Sequence, residues 1–595
     1  MARERTVLRG IAASPGVVVG PAVVIDSQHL QVRHRHIDEE AVEDETDRVR
    51  MAVEQSREEL EGIRDRLGED APADYRLILE AHLMMSRDEL LIDAALLAIR
   101  DDRVGAEWAV ERAVAGIQAH LRQSDEDYIR SRADDVEQVG RRIIERLVGR
   151  VSALPPILGD GVLVIDDLHP ADAAQLLDSR VKGLVTGLGS ATSHTAILAR
   201  TLEIPAVVGV SGVTSQVGTD DEIIVDGLRS QVILDPSEDE CDRARDRARR
   251  YLHFTKRLRE HGDQSMTRDG VHVQLHANVD LPAEAALAVD EQAQGIGLYR
   301  TEFLYMNRPD VPTEEEQLAV YKDIATVVGT RPVVLRTVDM GGDNLTINDD
   351  APPVPNPALG LRAIRLALAR DDLFQIQLRA VLRAACFGTV RVMFPLVSGV
   401  AELDSALACL EEAKRQVVAD GHDCGHVQVG TMIELPSAVL MAEHLARRCD
   451  FLSVGTNDLV QYTLAADRAN PQVAYLGDTL DPAVLLQLDR LVHVSRETGR
   501  PLSMCGDMAA DPFALPIAIG LGYRSLSVPV SALGLVREVL RHIDGQEARS
   551  VAQRALGCST ALEVRQLVDE SFREVLGEIW SESGVNRRLP DDDPQ

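Results

Sequence analysis

From about residue 270 to residue 530 the chain carries eight short apolar runs separated by stretches of helical periodicity, and this alternation restricts its fold more than any other feature. The runs are Val271–Asn278, Gly295–Phe303, Val333–Asp339, Val390–Val397, Val427–Glu434, Phe451–Asp458, Pro501–Asp507 and Ser525–Val530. Strands that alternate with helices pair in parallel through βαβ crossovers. Eight of them over roughly 260 residues is the count of a closed (β/α)8 barrel, whose active site lies at the C-terminal strand ends. Most runs end in a polar or reactive residue: Asn278, Arg300, Arg336 with Asp339, Glu434, Asn457 with Asp458, and Cys505 with Asp507. So many at corresponding places predict one pocket, anion-binding on its arginine side and metal-binding on its carboxylate side.

Upstream, Gly189-Ser190-Ala191-Thr192-Ser193-His194-Thr195-Ala196-Ile197-Leu198-Ala199-Arg200 delivers one histidine through a small-residue turn to the start of an apolar-periodic run. Lys182-Gly183-Leu184-Val185-Thr186 reads as a short buried strand, and Ile197, Leu198 and Leu202 give the helical period that follows. A helix N-terminus offers free backbone N–H groups and the positive end of the macrodipole. That setting resists imidazolium formation and welcomes a bound phosphate. Neutral His194 is then a nucleophile placed where a phosphohistidine can form and be held. A histidine that merely caps a helix is the plainer reading of the motif alone.

Composition narrows the setting. At ~150 residues per domain the length allows about four domains, and 45% hydrophobic with 27% charged residues is ordinary for globular protein. No apolar run approaches the ~18 residues of a membrane span. Met1–Arg5 leads into a strand-like run and not into a signal peptide. Seven cysteines without a Cys-x-x-Cys pair fit a reducing compartment, so a cytoplasmic location is expected. A formal net charge of −33 repels a phosphate backbone and argues against nucleic-acid binding.

The remaining patterning divides the chain. Gly10–Ile25 alternates like strands; from Glu39 to Arg150 the pattern is helical, with Met51, Leu60, Ile63 and Leu67 on a repeating face. Strand signals return at Val162–Ile165, Ile223–Val225 and Val232–Leu234. The expected fold class is α/β multidomain. An α/β histidine domain (residues 1–38 and 150–235) is interrupted by an all-helical subdomain (39–149). A linker helix at 236–262 without a core stripe, the barrel at 263–578 and an acidic disordered tail at 579–595 follow.

The motifs, taken in order, resemble the Enzyme I family of the phosphoenolpyruvate-dependent phosphotransferase system. They are Gly10-Ile11-Ala12-Ala13-Ser14-Pro15-Gly16, Thr192-Ser193-His194-Thr195, Gly295-Ile296-Gly297-Leu298-Tyr299-Arg300-Thr301-Glu302-Phe303, Leu335-Arg336-Thr337-Val338-Asp339-Met340-Gly341-Gly342-Asp343, Gly455-Thr456-Asn457-Asp458-Leu459-Val460-Gln461-Tyr462 and Met504-Cys505-Gly506. The resemblance implies that His194 takes the phosphoryl group from phosphoenolpyruvate, releasing pyruvate, and passes it to a histidine of the phosphocarrier protein HPr. It implies that Arg300, Arg336 and Arg468 hold the phosphate, with Arg362 a further candidate and Asn457 a neutral donor. Glu434 and Asp458 would bind Mg2+, and Cys505 would protonate the enolate. It also implies a homodimer through the barrel and HPr docking on the helical subdomain. There Ala81-His82-Leu83-Met84-Met85 would supply apolar contact, with Asp134-Asp135-Val136-Glu137 and Glu43-Asp44-Glu45 facing a basic rim.

The chain departs from the family pattern at Asn344, where a lysine is usual, and at Asp507, Ala191 and Ala173. These changes bear on affinity and rate. The absence of a phosphate-binding Gly-x-x-x-x-Gly-Lys-Ser/Thr loop and of an extra N-terminal region argues against the related phosphoenolpyruvate synthase and pyruvate phosphate dikinase. Two alternatives stand beside the sugar-system reading: a nitrogen-related Enzyme I, whose usual sensory domain is missing here, and a non-enzymatic sensor of phosphoenolpyruvate and pyruvate.

Overall fold

The computed structural model describes residues 5–25, 34–66, 89–122, 136, 139–148, 161–166, 168, 181–189, 195, 199, 204–260, 265–280, 282, 284–305, 311–341, 356–468, 470 and 472–583. The chain divides into two compact units, Met1–His253 and Phe254–Gln595.

Among the described residues, eight strands form the sheet of the first unit: β1 (Thr6–Arg9), β2 (Ile11–Ser14), β3 (Val17–Ile25), β4 (Val162–Ile165), β5 (Gly183–Thr186), β6 (Ala206–Val208), β7 (Glu222–Asp226) and β8 (Gln231–Leu234). Their spatial order is β1-β8-β7-β3-β4-β5-β6-β2. β3, β4, β5 and β6 run parallel, and the outer pairings are antiparallel. β4 and β5 are buried at every position, which is why Val162-Leu163-Val164-Ile165 reads as an unbroken apolar run.

Between β3 and β4 in sequence come the helices Val42–Arg66, Glu89–Asp102 and Ala106–Arg122, with a core of their own that includes Val49, Val53, Ile99, Val110 and Ile143. Met51, expected on the apolar face, is 63% exposed, because Val49, Ala52 and Val53 turn inward in its place. Glu45 is also not free to meet a partner. It is buried, accepts the Ala106 N–H at 2.7 Å and pairs with Arg35 and Arg48.

The helix Glu238–Glu260 carries a stripe that the sequence reading did not find. Cys241 and Ala244 are buried against Val17, Ile224 and Ile233, with Ala248 packed beside them. Small residues make the stripe narrow, so the charged residues around it mask its period. Phe254, further along, belongs to the core of the second unit.

In the second unit β9 (Gln274–Val279), β10 (Ile296–Arg300), β11 (Pro332–Arg336), β12 (Thr389–Phe394), β13 (Gln428–Ile433), β14 (Phe451–Gly455), β15 (Leu502–Cys505) and β16 (Ser525–Pro529) close into a barrel. Neighbours in sequence pair in parallel, and β16 pairs back to β9. Each strand overlaps one of the eight predicted runs. Val333 and Leu335 join the core beneath the helices, whereas Val334 joins Leu298, Met393, Met432, Phe451 and Cys505 in a separate cluster. That split by alternate positions separates helix-facing from barrel-filling residues.

The final helix, Ala561–Ser583, continues past the expected start of the tail. Ile579 and Trp580 are buried, the indole N–H donates to the Pro512 carbonyl at 3.0 Å, and its ring packs on Phe513. Among the described residues, no helix is long and apolar enough to cross a membrane.

Candidate active site

The C-terminal strand ends of the barrel gather three kinds of side chain. Arg300 ends β10 and Arg336 ends β11, paired with one another in the strand register. Arg300 is half-exposed and donates to both oxygens of Asp280, at 3.1 and 3.0 Å. Arg336 is buried deeper, donating to Glu302 Oε1 at 2.9 Å and meeting Asp339 Oδ2 at 3.0 Å. Arg362 reaches the other oxygen of Asp339 at 2.8 Å. It is placed there by the bridge between Gly341 and Arg362 and by the Ala363 N–H bonded to the Met340 carbonyl at 3.0 Å. Arg468 is exposed and lies 3.6 Å from Asp458 Oδ1.

Asp339, Glu434 and Asp458 present oxygens that all lie within 4.8 Å of one another. Burial pushes the Glu434 carboxyl up to about 8, and the negative charges of Asp339 and Asp458 add to it. Burial would also raise Asp339, but Arg336 and Arg362 outweigh it and hold that carboxyl below its usual range. Asp458 Oδ1 is buried and accepts no hydrogen bond. Three crowded carboxylates, one short of a hydrogen bond and one resisting ionisation, form a donor set that fits a hard divalent cation. The Leu396 N–H holds Glu434 Oε1 at 2.5 Å from a residue at φ 55°, a conformation that costs a branched side chain. Gly455 leaves the room: a side chain there would come within 2.7 Å of Glu434 Oε2.

Cys505 closes β15 beneath these groups. The thiol is buried, donates to the Val454 carbonyl at 3.2 Å and lies 3.6 Å from the Ser453 hydroxyl. Burial pushes it up to about 11, so it keeps its proton at neutral pH. Gly506 follows at φ 91°, where an added side chain would collide with Thr456 Oγ1. Asn457 Oδ1 accepts the Asp507 N–H at 2.9 Å, which leaves its amide N–H groups to face elsewhere.

Arg300, Arg336, Arg362, Asn457, Arg468, Glu434, Asp458 and Cys505 thus all lie on β10, β11, β14 and β15, on β13's end or on the segments leaving them. His194, Asn344, Ala191, Ala173, Ala81–Met85 and Asp134-Asp135 lie outside the described residues. Thr195, next to His194, and Ala199, five positions after it, are helical and buried. Two residues with clear places in the site were given no role from sequence. Asp339 was noted as a strand end but not as a third carboxylate, although it stands one short step past Arg336. Glu302 was read only as part of a motif; its pairing with Arg336 crosses between strands and leaves no spacing signal.

Models of the PEP-utilising enzyme family match three stretches: its N-terminal domain at residues 9–132, its mobile domain at 158–230 and its PEP-binding domain at 256–545. The chain is 39% identical over 586 residues to a phosphoenolpyruvate-protein phosphotransferase of Geobacillus stearothermophilus, covering 96% of this chain and 99% of that one. A Staphylococcus aureus protein of the same name is 38% identical over 566 residues, with 94% and 99% covered. One from Listeria monocytogenes is 38% identical over 580 residues, with 96% and 100% covered.

Proposed function

The chain belongs to the phosphoenolpyruvate-protein phosphotransferases, enzymes of the phosphotransferase system, and from that premise we propose that His194 is the residue that receives the phosphoryl group. The histidine ring nitrogen Nε2 attacks phosphorus as the bond from phosphorus to the enol oxygen breaks. Pyruvate enolate leaves and takes a proton at its methylene carbon, and phospho-His194 then passes its group to a histidine of HPr.

The observation that carries this reading is the convergence of Arg336 and Arg362 on one carboxylate beside Glu434, Asp458 and a protonated Cys505. Arg336 and Arg362 each keep donors beyond those given to Asp339, and planar guanidinium forks suit phosphate oxygens. Arg300 and Arg468, more exposed, close on the substrate from the rim. Asn457 donates an amide N–H to the phosphate. Asp339, Glu434 and Asp458 would hold Mg2+, which when bound neutralises charge on the substrate oxygens as the enolate forms. The Cys505 thiol, kept neutral by burial, delivers the proton and recovers it from solvent.

HPr as acceptor, a homodimer through the barrel and a cytoplasmic location complete the proposal. They rest on the family and on the composition. The purified protein, given phosphoenolpyruvate and Mg2+, should release about one pyruvate per chain without an acceptor and continue to turn over once HPr is added. Pyruvate release without retained phosphate would contradict a phosphohistidine intermediate.

A further inference from the structure

The helix Asp371–Ala384 packs against the outside of the barrel through Phe374, Leu378, Val381 and Leu382. In the middle of that face stands Gln377, only 1% exposed. An amide costs free energy among apolar neighbours unless its polar atoms are paired. These are. The Val338 N–H donates to Gln377 Oε1 at 3.1 Å, and Gln377 Nε2 donates to Thr301 Oγ1 at 3.1 Å and to the Tyr321 hydroxyl at 3.3 Å.

The protons in this network have only one consistent arrangement. Thr301 Oγ1 spends its hydrogen on the Arg336 carbonyl at 2.9 Å, so it must accept from Gln377. Tyr321 spends its own on Gln317 Oε1 at 3.0 Å, so it must accept as well. Gln317, also buried, accepts from Tyr305 at 3.3 Å and donates to the Pro312 carbonyl at 3.0 Å.

The places where these bonds end assign the role. The ladder between β10 and β11 stops at the pair Arg300 and Arg336. Thr301 stands between Arg300 and Glu302, and Val338 immediately precedes Asp339. Beyond the last ladder pair, Gln377 ties both segments to one rigid amide. We propose that Gln377 is a positioning residue for phosphoryl transfer, fixing Arg300, Glu302, Arg336 and Asp339 relative to one another from behind the site. It touches neither substrate nor reacting atoms. The inference rests on the functional reading above.

Single-turnover pyruvate release from the full-length protein, measured against phosphoenolpyruvate concentration with Mg2+ present, tests it. Gln377→Met keeps the volume and removes all three bonds; misplacing reactive groups by a fraction of an ångström should lower the second-order constant roughly 10–100-fold. Thr301→Val cuts the same link from the other end, together with the Thr301 hydroxyl's own bond to the Arg336 carbonyl. The double variant should therefore fall by less than the product of the two single losses. Leu378→Ala, at the next position of the helix, is a cavity variant that breaks no hydrogen bond to either strand end, and it should change the constant less than about threefold. Gln377→Met within threefold of the wild type, a Leu378→Ala loss as large as that of Gln377→Met, or independent losses in the double variant would each overturn the inference while leaving the functional reading intact. A wild-type chain that releases no pyruvate would overturn both.

Discussion

Arg362 donates to Asp339 Oδ1 at 2.8 Å, and that carboxylate fixes the direction of the guanidinium. Since Arg336 holds the other oxygen of Asp339, one carboxylate orients two cations and also borders Glu434 and Asp458. Asp339→Asn keeps the size and removes the charge. Breaking buried pairs from one side typically costs about 3–5 kcal/mol, and the neutral amide should keep this loss at the low end. The Mg2+ concentration for half-maximal pyruvate release should rise about ten-fold or more, as one of three carboxylates is lost. An unchanged Mg2+ requirement would place Asp339 with the arginines alone.

Cys505 makes a separable prediction, because its proton is needed only for the carbon half of the reaction. Cys505→Ala should slow solvent proton exchange at the pyruvate methyl group by ~10²–10⁴-fold, the usual range for losing a general acid. One round of phosphoryl transfer should survive. Methyl exchange can be followed by deuterium loss; if the variant matches the wild type, the thiol is packing.

The barrel was legible in the sequence because its strands are buried on both faces. Phe451–Gly455 is buried at all five positions and so reads as an apolar run, interrupted only by the small Ser453, with polar residues just after it. The arginines and carboxylates at those strand ends could be named for the same reason. What could not be read were relationships between distant elements. Glu302 meets Arg336 across two neighbouring segments, and Gln377 reaches the adjoining Thr301 hydroxyl and Val338 N–H from a helix. Neither contact has a period. The stripe at Cys241 and Ala244 was missed because small residues among many arginines give a weak apolar signal, and Trp580 because an acidic C-terminal stretch resembles a tail until its partner Phe513 is known.

His276 gives the barrel a pH dependence with a definite sign. Burial pushes the imidazole from 6.5 down to about 4, and the positive charge of Arg391 adds to this. Between those values the unfolded chain binds the proton and the folded one does not. Stability from this group is therefore complete above about pH 6.5 and is lost as pH falls toward 4. The total loss is about 3 kcal/mol. His276→Gln cannot take up a proton and should remove that component. Urea midpoints at pH 7.5 and 4.5 for both proteins would measure it; equal pH responses would mean that His276 titrates normally.

The resting place of the phosphoryl group decides the mechanism. Isotopically labelled phosphoenolpyruvate with Mg2+, followed by peptide mapping under alkaline conditions that preserve phosphohistidine, locates it. One acid-labile phosphate per chain is predicted, on His194, with His194→Ala folded, still able to bind phosphoenolpyruvate at the barrel and unlabelled. Label on another residue, or label that persists in His194→Ala, would contradict His194 as the phosphoryl acceptor.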